Sequence, residues 1–171
     1  RDLDFAKAVK KAGLSTLYLQ FDGVTPEPYR IARGRDLFPL KLKTLENCRK
    51  AGLHSIVLVP TIVRGVNDNQ LGDILRFAIK NKDIIRGINF QPVSITGRID
   101  HNRRRAMRIT IPDCMKLVEE QTGGHIKTSD FYPVPVVVPI SRAVGALKGR
   151  RYVEFTVHEH CGMATFVLVE G

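Results

Sequence analysis

Two pairs of polar residues stand at the ends of apolar runs: Gln20 and Asp22 in Leu19-Gln20-Phe21-Asp22-Gly23, and Asn89 and Gln91 in Asn89-Phe90-Gln91-Pro92-Val93. The members of each pair are two apart, so on a strand they share one face while Phe21 and Phe90 take the other. A third run, Pro60-Thr61-Ile62-Val63-Arg64-Gly65, adds a guanidinium. A carboxylate, carboxamides and a cation around one mouth make a binding site for a polar, partly charged ligand. The same residues also read as an Asp-Gly turn with carboxamides bonded to loop backbone, and the pattern leaves both readings open.

A second cluster lies near the end of the chain, where His158, His160 and Cys161 bring metal-ligand side chains close together. On a strand, His158 and His160 share a face and suit one metal, with a buried or hydrogen-bonded histidine pair as the alternative. The three cysteines, Cys48, Cys114 and Cys161, are widely spaced and odd in number, which argues against a disulfide framework and for a reducing cytoplasm.

These residues need a scaffold that brings strand ends together, and the sequence carries one. Leu71, Ile74, Leu75, Ala78 and Ile79 form the stripe of an amphipathic helix, with Asn67 and Gln70 expected to cap it reciprocally. An earlier helix is expected from about Asp36, with Pro39 in its first turn, burying Phe38, Leu42, Leu45 and Cys48 and stopping at Gly52. Lys11-Ala12-Gly13-Leu14 precedes the strand-like Thr16 to Phe21, and Lys50-Ala51-Gly52-Leu53 precedes Ser55 to Pro60; each reads as a helix ending on glycine before a buried strand. With a third strand at Gly87 to Val93, helix and strand alternate at the spacing of βα units in a parallel sheet or barrel.

Beyond Gly97 the character changes. The basic run Arg103-Arg104-Arg105 reads as a solvated loop, with contact to lipid phosphates or nucleic-acid backbone as the alternative, and a helix opens at Thr110-Pro112-Asp113 and closes at Gly123-Gly124. Tyr132 to Pro139 holds too many prolines for a central strand, and the tail is expected to hold a helix at Ser141 to Leu147 and strands at Tyr152 to Val157 and Ala164 to Val169. The division expected is 1–98 as barrel and 99–171 as a small α+β extension.

Composition sets limits on this reading. The 171 residues are 43% hydrophobic, enough for a folded core, and no apolar run approaches the roughly 18 residues that cross a bilayer. The start, Arg1 to Phe5, lacks a signal peptide's apolar stretch and reads as an interior cut. A net charge of +10 attracts anions, whether nucleic acid, anionic lipid or phosphorylated small molecules. With aromatics at 7% and no Trp, nucleic acid is the least favoured of these.

From Leu17 to Arg98 the sequence resembles radical S-adenosylmethionine (radical SAM) enzymes of the group that includes the molybdenum-cofactor cyclase. The resemblance rests on Gln20-Phe21-Asp22-Gly23, Arg33-Gly34-Arg35-Asp36-Leu37-Phe38, Gly65-Val66-Asn67-Asp68 and Asn89-Phe90-Gln91-Pro92-Val93-Ser94. The Leu-Gln-Phe-Asp-Gly wording and the ending Phe155-Thr156-Val157-His158-Glu159-His160-Cys161-Gly162-Met163-Ala164-Thr165 look closest to the archaeal tetraether lipid synthase group, which joins lipid tails.

The resemblance implies an α/β fold, the C-terminal half of a partial (β/α) barrel. It also implies a cytoplasmic metal-binding oxidoreductase, associated at most with a membrane surface, that cleaves S-adenosylmethionine at a 4Fe-4S cluster to start radical chemistry on an unactivated carbon. Gln20 and Asp22 would lie near the ribose and amino acid part of S-adenosylmethionine, Arg64 near its carboxylate or the substrate, and Gln91, Pro92 and Val93 near the adenine, with Asn89 among the cofactor-binding residues. Many relatives place serine where Gln20 stands. No CxxxCxxC motif is present, so the resemblance places the cluster ligands outside this chain and makes the chain alone inactive. The expected substrate is a small molecule or lipid, and dimerisation across open sheet edges is expected. The rival from another class is a nucleotide- or RNA-binding α/β module without redox chemistry.

Overall fold

The computed structural model describes residues 2–152, 154, 157–158 and 161–169. Its centre is a parallel sheet of β1 (Leu17–Gln20), β2 (Ile56–Val59) and β4 (Ile85–Ile88), in that order. Tyr18 pairs with Val57 and Leu19 with Leu58, while Val57 pairs with Gly87 and Leu58 with Ile88. Two short strands, β3 (Thr61–Ile62) and β5 (Gln91–Pro92), pair in parallel just beyond. Asn89 N–H donates to Leu58 O at 2.8 Å, Gln91 N–H to Pro60 O at 2.9 Å and Val93 N–H to Ile62 O at 2.9 Å, so one ladder runs through both strand pairs.

Helices connect the strands as an α/β partial barrel requires. α1 (Leu3–Lys11) starts at Asp2, whose carboxylate accepts from Asp4 N–H at 2.7 Å. α3 (Phe38–Lys50) has Pro39 in its first turn and reverses at Gly52, which takes φ +74°. α4 (Leu71–Lys80) lies between β3 and β4. Leu19 and Phe21 of the first strand segment, Leu45 and Cys48 of α3, Ile56 and Leu58 of β2, and Ile74 and Ala78 of α4 form one buried cluster. Each large apolar side chain buried there contributes about 1.5–3 kcal/mol. Phe21 stacks on Phe77 at 5.0 Å between centroids, which fixes the first strand's end against α4.

α6 (Ile111–Gln121) adds a second core of Ile62, Leu71, Ile109, Cys114 and Val118. Gly72 permits this approach: a Cβ there would lie 2.7 Å from both Gln121 Cβ and Gln121 O. Gln121 Nε2 donates to Asp68 O at 2.7 Å, and its Oε1 accepts from Gly72 N–H at 2.9 Å.

Several expectations are corrected. Leu42 is 40% exposed, because the face of α3 toward the sheet carries Leu45 and Cys48 and leaves Leu42 to solvent. Asn67 and Gln70 do not cap α4 reciprocally, since both carboxamides are bonded elsewhere. A helix absent from the sequence reading, α2 (Pro26–Arg33), ends at Gly34, and the basic run lies on another, α5 (His101–Met107). β6 (Tyr132–Pro133) precedes a one-turn helix at Val134–Val136, and α7 (Val137–Lys148) starts before Ser141, with Pro139 accommodated near its start. In the tail, β7 (Met163–Ala164) pairs antiparallel with β6, and residues 165–169 are not strand. The expected strand Tyr152 to Val157 lies partly outside the described residues. Among the described residues no helix is long and apolar enough to cross a membrane.

Candidate functional site

The carboxyl ends of all the parallel strands meet at one rim. Because Tyr18, Val57 and Gly87 are paired in register, the residues two and four positions onward share their face, which places Gln20 in a row with Val59 and Asn89, and Asp22 with Thr61 and Gln91. The face opposite the helices therefore brings together Gln20, Asp22, Asn89 and Gln91.

Asp22 is not open to a ligand. It is 1% exposed, and its carboxylate accepts from Gln20 Nε2, from Arg33 Nε at 3.0 Å and from Thr61 N–H at 3.2 Å. A buried carboxylate needs such partners, and these come from its own strand, from α2 and from β3. The turn after it is equally committed. Asn67 Nδ2 donates to Asp22 O at 2.7 Å and to Thr61 O at 2.8 Å, while its Oδ1 accepts from Val63 N–H at 2.8 Å. Gln70 accepts from Val24 N–H at 2.9 Å and donates to Thr25 Oγ1 at 2.7 Å. Tyr29, fully buried, donates its hydroxyl to Gly23 O at 2.9 Å, and burial pushes that phenol well above its ordinary range.

Asn89 and Gln91 are exposed, and their carboxamides make no side-chain hydrogen bond among the described residues. They are the free polar groups of the rim. Pro92 is half-buried, and Val93 packs against the second core. Arg64 reaches the same rim but turns away from it: its Nε donates to Arg108 O at 2.9 Å, and its guanidinium pairs with Asp113 at 3.1 Å. It anchors α6 to the barrel.

Sequence reasoning missed Lys41. This half-buried ammonium lies near Asp22 and Arg33; burial lowers its pKa, Asp22 opposes that shift and Arg33 adds to it. Its signal was present, because Phe38, Lys41, Leu45 and Cys48 fall at helical spacing, a cation within an apolar stripe. Asp22 is already satisfied, so Arg33 and Lys41 leave surplus positive charge at the rim. Free carboxamides on the rim, with a half-buried cation coupled to Asp22, suit a polar ligand that carries an anionic group.

A cluster of iron and sulfur does not fit this chain. Cys48 is buried on α3, Cys114 is buried in the first turn of α6, and Cys161 is exposed in the tail. Among the described residues no group of three or more His, Cys, Asp or Glu is placed to hold a metal ion. His158 is exposed, and His160 of the expected metal set lies outside the described residues. A groove of about 710 Å³ runs along the free edge of β4 and reaches the rim at Asn89 and Pro92, with Met115, Val118 and Phe166 among its apolar walls.

Residues 1–78 match the family described as the radical SAM superfamily. The chain is 55% identical over 170 residues to a 7,8-dihydro-6-hydroxymethylpterin dimethyltransferase of Methanocaldococcus jannaschii, covering 99% of this chain and 34% of that protein. It is 26% identical over 98 residues to a GTP 3',8-cyclase of Petrotoga mobilis, covering 57% of this chain and 30% of the cyclase. With the GTP 3',8-cyclase of Listeria monocytogenes serovar 1/2a it shares 34% identity over 94 residues, 54% of this chain and 28% of the cyclase. The chain thus spans about a third of the length of these relatives. These matches correct the expected affiliation with tetraether lipid synthases and agree with the resemblance to the molybdenum-cofactor cyclase group.

Proposed function

We propose that this chain, whose residues 1–78 match the radical SAM superfamily, is part of a radical SAM enzyme and supplies the rim that holds S-adenosylmethionine in a longer enzyme acting on a small heterocyclic substrate. The observation that carries this reading is the pair of uncommitted carboxamides, Asn89 and Gln91, on the same sheet face as Gln20 and Asp22, with the surplus cation Lys41 coupled to that Asp22. When bound, S-adenosylmethionine is a source of an organic radical that takes hydrogen from carbon. The chain's own residues bind and orient. Asn89 and Gln91 donate to and accept from the adenine and ribose edges, and the Lys41 ammonium takes the carboxylate. Asp22 acts through Arg33, Gln20 and Thr61 by fixing the rim and does not touch the ligand.

The matched relatives suggest the substrate. One is named for a pterin and others for GTP, and pterin and guanine are both fused nitrogen heterocycles. A reduced pterin is therefore the first substrate to try in the longer enzyme, with methylation as the reaction. The cluster's thiolates are not among the residues of this chain, so no step of cluster chemistry is assigned to it.

The test is an NMR titration of the isotopically labelled chain with S-adenosylmethionine at millimolar concentration, which detects weak binding. The side-chain amide signals of Asn89 and Gln91 and the backbone signals around Gln20 and Lys41 should move together. Saturable shifts elsewhere, or none at all, would refute the assignment of the rim.

A further inference from the structure

The segment that leaves the carboxyl end of β5 and returns to α6 carries Arg98, Arg103, Arg104, Arg105 and Arg108 against one carboxylate, Asp100. That carboxylate is committed to the helix, since its Oδ1 accepts from Arg103 N–H at 3.0 Å. The five guanidiniums are exposed and make no ion pair among the described residues. The segment starts at the same rim as Asn89 and Gln91. Its far end is tied down there: Arg64 N–H donates to Met107 O at 3.3 Å, and Arg64 Nε donates to Arg108 O.

α5 has no buried residue. A seven-residue helix is marginal without a packed face, and the mutual repulsion of Arg103, Arg104 and Arg105, consecutive on it, weakens it further. Nothing described in the folded chain offsets that repulsion. A doubly charged anion would, because guanidiniums grip phosphate oxygens in pairs.

We propose that α5 is a phosphate-binding arm and that the substrate brought to the rim is a small phosphate ester, held by Arg103, Arg104 and Arg105. The position of the substrate rests on the reading of the rim given above; the anion site itself does not. The chemistry of the arm argues against larger partners. Between Ser94 and Arg108 there is no Phe, Tyr or Trp on which bases would stack. Nor has α5 the broad apolar face that a membrane-surface helix inserts, for Met107 at its end is half-buried and the rest is small or polar.

Calorimetric titration of the chain with inorganic pyrophosphate at low salt tests this. Three proteins are compared: the unchanged chain, the triple variant Arg103→Gln, Arg104→Gln, Arg105→Gln, and a charge-matched variant Lys10→Gln, Lys11→Gln, Lys80→Gln. Those lysines are exposed and end helices that lead to the opposite, amino ends of the strands. The dissociation constant should rise at least about tenfold in the arginine variant and change less than about twofold in the lysine variant. Circular dichroism confirms that both are folded. Equal weakening in both variants, or no binding by the unchanged chain, would overturn the arm. A short single-stranded DNA or an anionic vesicle bound far more tightly than pyrophosphate, through the same arginines, would overturn the small-molecule assignment. Retained pyrophosphate binding without any shift by S-adenosylmethionine would uphold the anion site and sink the rim.

Discussion

Arg33 and Asp22 form an ion pair of unequal depth, Nε to Oδ2 at 3.0 Å, in which the carboxylate is 1% exposed and the guanidinium side chain 37%. The carboxylate has nowhere to go if its partner leaves. Arg33→Ala should therefore destabilise the fold by about 2 kcal/mol, below the usual figure for breaking a fully buried pair because Arg33 is partly solvated. Arg33→Lys keeps the charge and loses the fork, so its effect should be smaller. Urea unfolding of the three proteins measures this, and a neutral Arg33→Ala would show that Asp22 is satisfied without it.

Gly72→Ala reverses the usual sign for a helix glycine. In an open helix Ala is better by about 1 kcal/mol, but at this position a Cβ meets the Gln121 backbone at 2.7 Å, which cannot swing aside. The variant should lose about 2 kcal/mol. Hydrogen exchange in α6 should accelerate more than in α3, because α6 is the element displaced.

Thiol chemistry separates the cysteines by depth. Cys161, exposed, should react at once with an aromatic disulfide, while Cys48 and Cys114 should react only on unfolding. Burial raises both thiols, that of Cys114 from 9.0 to about 11. A group raised on folding contributes stability that is intact below its unfolded value and lost as pH climbs to its folded one, so the fold should weaken from pH 9 toward about 11. The buried phenol of Tyr29 acts in the same direction. A melting temperature flat across that window would contradict this.

The start of α6 predicts an acid effect of opposite sign. Thr110 and Asp113 cap it reciprocally, and the Thr110 hydroxyl and backbone, then Arg64, hold the Asp113 carboxyl below its ordinary range. A depressed carboxyl contributes stability above its unfolded value that is lost as pH falls through its folded one. Thr110→Ala should cost about 1 kcal/mol at neutral pH and reduce the acid sensitivity of α6, followed by the NMR signals of Leu117 and Val118.

The repeating helices and strands were legible because they are written locally. The glycine reversals at Gly13 and Gly52 both adopt positive φ, and Cys48 sits in the core as its stripe requires. The rim was legible as a place, since period-two spacing puts Gln20 with Asp22 and Asn89 with Gln91. What each side chain does there was not. Asn67 reads as a helix cap, yet its partners are Asp22 and Thr61, and the first of these is 45 residues away in sequence. Arg64 reads as a site cation and serves α6, whose position depends on packing that no local pattern encodes. α5 was missed because a helix with no apolar stripe carries no periodic signal.

The order of the central sheet, β1-β2-β4, is also the order in which its strands are synthesised. Each new strand lays itself on the edge left by the one before, across two helices between β1 and β2 and one between β2 and β4, so no closure spans the whole chain. A polypeptide leaving the ribosome can thus secure each strand before the next emerges. The edge of β4 is the last to be laid, and it faces the groove at the rim.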